Sequence, residues 1–169
     1  MSIEFRTHNG EPTALGRVLL AWWEKLDDDR GGRAILRRAA SPTQVALTAP
    51  YQRVFQRLRT VADIPERNYE RIAAIVGLLA HIKANDSRPI PRAMSACEAG
   101  ARPPVSELRF LRLLDSPDIE TFFTGLRRVL PLMNDQVDVL ALANDVFFWG
   151  DDVKRQWAYG YHWPEKASS

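Results

Sequence analysis

Residues 69–82 form a segment that is apolar on nearly every side: Ile72, Ala73, Ile75, Val76, Leu78, Leu79 and Ile82 leave it almost no polar face. A helix that is hydrophobic all round has to be enclosed by other elements. The spacing therefore predicts the central helix of a bundle, and the flanking segments read as its cover. Residues 14–26 place Leu15, Val18, Leu19, Trp22, Trp23 and Leu26 on one helical face, and residues 51–61 do the same with Val54, Phe55, Leu58 and Val61. The first of these helices is expected to stop at Asp27-Asp28-Asp29-Arg30-Gly31-Gly32, where two glycines favour a turn. A short helix over 33–40 should end before Ser41-Pro42, because the residue preceding proline is pushed out of the α region.

Periodicity fades over residues 83–106, which hold four prolines and one glycine, with 94–99 offering a turn or two of helix. The expected organisation is an N-terminal helical bundle over 1–87, a linker over 88–105 and a C-terminal helical bundle over 106–169. The second bundle starts with Leu108, Phe110, Leu111, Leu113 and Leu114. A helix over 118–133 follows, with Asp115 or Ser116 as its cap, Pro117 at its first position and Pro131 ending or kinking it. Helices over 136–149, closed by Gly150, and over 151–161 complete the series. No stretch alternates convincingly, so the expected fold class is all-α, two small helical bundles joined by a Pro-rich linker.

A chain of 169 residues can build a true core, and no apolar run approaches the length of a membrane span. The N-terminus, Met1-Ser-Ile-Glu-Phe-Arg, lacks the order of a signal peptide, and a cytoplasmic, membrane-free protein is expected. The lone Cys97 and the scattered His8, His81 and His162 offer no metal or redox motif. No glycine-rich phosphate loop or nucleophile elbow occurs, so neither cofactor nor catalysis is expected. The acidic runs Asp27-Asp28-Asp29 and Asp151-Asp152 lack calcium-loop spacing and read as helix termini.

Charge is more informative. Residues 30–71 carry nine arginines against three acids, a net +6 that leaves −4 for the rest of a chain whose total is +2. Nineteen of the 23 basic residues are arginine, whose planar fork suits phosphate. The doublets Arg37-Arg38 and Arg127-Arg128 each cover a broad polar face able to meet phosphates. The same doublets suit a solvated exterior or acidic protein partners, so a helical adaptor stays open as the alternative. Of the tryptophans, Trp22, Trp149 and Trp157 fall on apolar faces; Trp163, in the tail from Tyr159, is undecided between packing and base stacking.

The ordered set Leu20-Ala-Trp-Trp-Glu-Lys-Leu26, Gly32-Arg-Ala-Ile-Leu-Arg-Arg38, Leu78-Leu-Ala-His-Ile-Lys83, Ser106-Glu-Leu-Arg-Phe-Leu-Arg-Leu-Leu114, Leu126-Arg-Arg-Val-Leu130 and Phe148-Trp-Gly150 resembles the CasB family. These are the small subunits of the type I-E CRISPR surveillance complex, Cascade, and the likeness spans about residues 14–161. It implies a non-catalytic, all-helical subunit, present as two copies beside the guide-binding backbone subunits and the large subunit. It also implies contact with crRNA, the target DNA strand and the displaced non-target strand, stabilising the R-loop in antiviral defence. The family's basic positions correspond here to Arg37, Arg38, Arg67, Arg112, Arg127 and Arg128, with Arg109, Lys154 and Arg155 as further candidates. Two departures stand out: Asp151-Asp152 follows the Trp-Gly step where relatives can carry basic residues, and Ile119 replaces another such position.

Overall fold

The all-round apolar segment forms α5 (Tyr69–Leu79), and every residue from Ile72 to Leu79 is buried. The computed structural model describes residues 3–165; the outermost ends of the two expected bundles, 1–2 and 166–169, lie outside the described residues. Before α5 come α1 (Ala14–Lys25), α2 (Arg30–Arg38), α3 (Pro42–Ala46) and α4 (Ala49–Arg59). After it come α6 (Ile90–Ser95), α7 (Glu107–Leu114), α8 (Ile119–Val129), α9 (Val139–Phe147) and α10 (Asp151–Gly160). The fold is all-α, and α5 packs against α2, α3 and α4 as well as against α8 and α9. Each Leu, Ile or Val it buries contributes about 1.5–3 kcal/mol of transfer free energy. A Cβ on Gly77 would lie 2.7 Å from Val45 Cγ2 and 2.9 Å from Phe123, so α3 and α8 approach α5 where a side chain is missing.

Small polar residues start the helices. Thr13, Ser41, Thr48, Ser106, Asp118 and Asp138 each accept from a backbone N–H in the first turn, satisfying donors that the helix itself leaves open. Several boundaries differ from expectation for the same reason. Gly31 and Gly32 do not break a helix: Asp29 caps α2 by accepting from Gly32 N–H at 3.0 Å, so both glycines lie in its first turn. The α8 cap is Asp118 rather than Asp115 or Ser116, which leaves Pro117 outside the helix. Asp138 delays α9 to Val139, and Gly150 sits ahead of α10 rather than closing α9. Residues 130–133 tighten into a 3₁₀ turn around Pro131.

The proline-rich stretch contains α6, which starts at Ile90 with Pro91 in its first turn, earlier than 94–99. Two strands that alternation does not reveal, β1 (Ala84–Asn85) and β2 (Gln136–Val137), pair in parallel with Ala84 beside Gln136 and Asn85 beside Val137. At two residues each, they are too short to show a period.

An aromatic cluster fixes α7, α8 and α10 relative to one another. Phe122 stacks on Trp149 at 3.7 Å, Phe110 stacks on Tyr161 at 4.1 Å, and Trp157 meets Phe122 and Trp149 edge-on. Such pairs add about 0.5–1.5 kcal/mol each beyond the area they bury.

Candidate nucleic-acid interface

Helices α7 and α8 each turn one polar stripe toward a shared groove of about 290 Å³. From α7 come Arg109, Arg112 and Leu113, with Ser116 beyond its end; from α8 come Thr121, Thr124, Gly125 and Arg128. Both sets follow i, i+3, i+4, i+7, the spacing of one helical face. Gly125 permits the close approach, since a Cβ there would stand 3.0 Å from Leu113 Cδ2. Arg109, Arg112 and Arg128 are exposed, and among the described residues none forms an ion pair. Lys154 reaches the edge of this groove: its ammonium donates to Ser116 O at 3.0 Å and lies 5.9 Å from the Trp149 ring centroid.

The arginine doublets meet at a second place. Arg127 donates to Arg37 O at 2.9 Å and to His81 Nε2 at 3.4 Å, with its guanidinium 5.7 Å from the Phe123 ring centroid. The last turns of α2 and α8 thereby hold together, while the side chains of Arg37 and Arg38 are exposed. Burial and then the guanidiniums of Arg127 and Arg37 pull the His81 pKa down to about 4. The ring is neutral at pH 7 and accepts from Arg127.

The remaining candidates stand apart. Arg67 is exposed in a 3₁₀ turn before α5 and shares neither groove nor hydrogen bond with the others. Arg155 is tied to Asp152 on α10. Ile119, at one of the departures, is 4% exposed and belongs to the core.

Two arginines of the basic stretch have other work. Arg33 donates to Ala80 O at 3.1 Å and Ile82 O at 2.6 Å and pairs with Asp27 at 2.9 Å. Arg71 donates from one nitrogen to Phe147 O and Trp149 O, both at 2.9 Å, with Val146 O at 3.4 Å, closing the C-terminal end of α9. Burial draws the Arg71 pKa below its ordinary value. The charge of residues 30–71 is thus partly spent on backbone carbonyls.

Four of the five tryptophans pack in or against the core, while Trp163 stays 37% exposed. Trp22, Trp149 and Trp157 are buried, and Trp23 Nε1 donates to Ile82 O at 3.1 Å. Trp163 rests edge-on against Phe110 and Tyr161 and donates to Ala158 O at 2.8 Å. Sequence reading missed Ser116, Thr121 and Thr124, although their helical spacing from the arginines was there to be read. Among the described residues no group of three or more His, Cys, Asp or Glu is arranged to hold a metal, and no helix is long and apolar enough to cross a membrane.

These features define an all-helical protein with a groove of unneutralised arginines and hydroxyls on one face. The family model for CRISPR-associated protein Cse2 matches residues 32–162, and the chain belongs to that family, for which CasB is the other name. Its fold is similar to that of a chain in the crystal structure of E. coli Cascade bound to a PAM-containing double-stranded DNA target. The TM-score is 0.66 at 18% identity, over 86% of this chain and 92% of that one. No match is found among curated proteins.

Proposed function

We propose that this protein is the non-catalytic small subunit of a type I-E Cascade complex in the cytoplasm, binding nucleic-acid backbone without sequence specificity. Its partners are the guide-binding backbone subunits, the large subunit, a second copy of itself, crRNA, the target DNA strand and the displaced non-target strand. The observation that carries this reading is the convergence of Arg109, Arg112 and Arg128 on one groove with, among the described residues, no carboxylate paired to any of them. Arginine forks held on two rigid helices meet phosphate oxygens, and hydroxyls from Thr121 and Thr124 supply further donors. Guide pairing reads the sequence in such complexes, so a subunit beside the R-loop has only backbone and shape to recognise. The candidates grouped on this reading are Arg109, Arg112, Arg128 and Lys154 at the groove and Arg37, Arg38 and Arg127 at the junction. Arg67 and Arg155 are outlying contacts.

Affinity for an isolated strand should be weak, about 10⁻⁴ to 10⁻⁶ M, with a log–log salt slope of about −0.7 per phosphate contact. Assembly raises the effective concentration of the strand and makes up the difference. Fluorescence anisotropy of labelled single- and double-stranded DNA across a salt series tests this. Arg112→Gln/Arg128→Gln should weaken binding equally for all sequences and flatten the slope. Absence of binding at every salt concentration would overturn it in favour of an adaptor meeting acidic proteins.

A further inference from the structure

The α7/α8 groove has a counterpart on the other half of the chain. Between α1 and α4 lies a groove of about 160 Å³ lined by Trp22, Lys25, Leu26 and Asp29 on one side and Pro50, Arg53, Val54 and Arg57 on the other. Both sets again follow i, i+3, i+4, i+7. Again an apolar floor, here Trp22, Leu26 and Val54, carries cations along its rim: Lys25 from one side, Arg53 and Arg57 from the other. All three are exposed, and among the described residues none is in an ion pair. The groove also holds one carboxylate, Asp29, whose Oδ1 accepts from Gly32 N–H while its negative charge remains.

Helix-dipole complementarity accounts for Lys25 and Arg57, which sit in the last turns of α1 and α4. It does not account for Arg53, which stands six residues before the end of α4 and one turn from a like charge. Like charges at i, i+4 destabilise a helix by a few tenths of a kcal/mol. Among the described residues no carboxylate stands within ion-pairing distance of Arg53 or Arg57, and Asp29, across the groove, offsets only part of that repulsion.

We propose that the α1/α4 groove is a second phosphate-backbone site, distinct from the α7/α8 groove and engaged by a nucleic-acid strand through Lys25, Arg53 and Arg57. Arg53 and Arg57 lie about 6 Å apart along the helix axis, a step comparable with the repeat of an extended phosphodiester chain. Their planar forks suit phosphate oxygens, and Lys25 closes the opposite rim as a point charge. Trp22 is 8% exposed and offers no platform for bases, so the site meets the backbone alone.

The proposal extends the nucleic-acid reading but rests on different residues, so the two can fail separately. The test compares the full chain with Lys25→Gln/Arg53→Gln/Arg57→Gln, with Arg112→Gln/Arg128→Gln and with all five changes, by anisotropy of a labelled single strand across a salt series. Circular dichroism checks that each variant is folded. The triple variant should reduce the magnitude of the salt slope by about 2, at about 0.7 per contact, and should add to the loss from the α7/α8 variant. Wild-type binding by the triple variant, with loss only in the α7/α8 variant, overturns this site and leaves the proposed function standing. Loss in the triple variant with none in the α7/α8 variant supports this site and removes the other. Capture of labelled poly-glutamate by the wild type as tight as that of the oligonucleotide, lost in the triple variant, overturns the phosphate assignment.

Discussion

Arg71 and Arg128 are the same residue type on helices of the same fold, and they do opposite things. Arg71 spends its guanidinium on the carbonyls that end α9, and Arg33 does the same for those that follow α5. Arg128 and its neighbours Arg109 and Arg112 stand along a groove where, among the described residues, no anion is paired to them. The surroundings decide the role: carbonyls at a helix end left without donors take up a nearby arginine, whereas a helix side leaves it for a ligand. Net charge along a segment therefore overstates what a polyanion can reach.

The contrast can be broken most sharply at Arg71. Arg71→Ala orphans carbonyls at the end of α9 and should cost about 4 kcal/mol, read as a fall in the denaturant midpoint at constant m-value. Oligonucleotide affinity of the fraction still folded should be unchanged. A stability loss below about 1 kcal/mol would put Arg71 in the ligand-binding class.

Committed groups also include a carboxylate. Burial raises the Asp145 pKa to about 6, against the hydrogen bond from Trp157 Nε1 at 2.9 Å and the charge of Arg6. The folded state thus pays to ionise it: the favourable proton uptake is complete below pH 4 and is lost as pH rises through 6. Asp145→Asn should stabilise the chain by about 2 kcal/mol at pH 7, with the gain vanishing near pH 4. Thermal melts at the two pH values decide it.

His81 runs the other way. Its folded pKa lies below the ordinary value, so its contribution is present above about pH 6.5 and is lost as pH falls toward 4. The ring is only half-buried, and solvent screening of the nearby guanidiniums leaves about 1 kcal/mol. His81→Asn should flatten that part of the pH–stability curve. An unchanged slope would remove the ring from the α2–α8 junction's energetics.

The smallest stability effect belongs to the groove. Arg112→Gln/Arg128→Gln should alter unfolding free energy by less than about 0.5 kcal/mol, because exposed side chains without partners support little. A larger loss would mean that the groove arginines hold the fold as Arg71 does.

Local chemistry made much of this legible in the sequence. The all-round apolar run marked α5, and apolar spacing marked α1, α4 and α7 to within a few residues. Capping was harder where two acceptors competed: Asp118 displaced Asp115 and Ser116, and Asp29 drew two glycines into α2. Arg109 and Arg112 were readable as one face of a helix. That Arg128 joins them follows from how α7 packs on α8, which a single chain of letters does not encode locally. The bond from Arg127 to the carbonyl of Arg37 spans ninety residues, and that from Arg71 to Trp149 spans 78. Sequence pattern sees neither, because only the assembled core brings those carbonyls within reach.

Gly77 carries a consequence for how such a chain can vary. There the side chains of Val45 on α3 and Phe123 on α8 close on α5, and a methyl group would overlap both unless they shift. The spacing between the α1–α4 side and the α7–α8 side is thus set by a hydrogen atom. Saturation mutagenesis should find neighbouring apolar positions exchanging Leu, Ile and Val freely, while position 77 accepts nothing else. The molecule's ruler is the side chain it lacks.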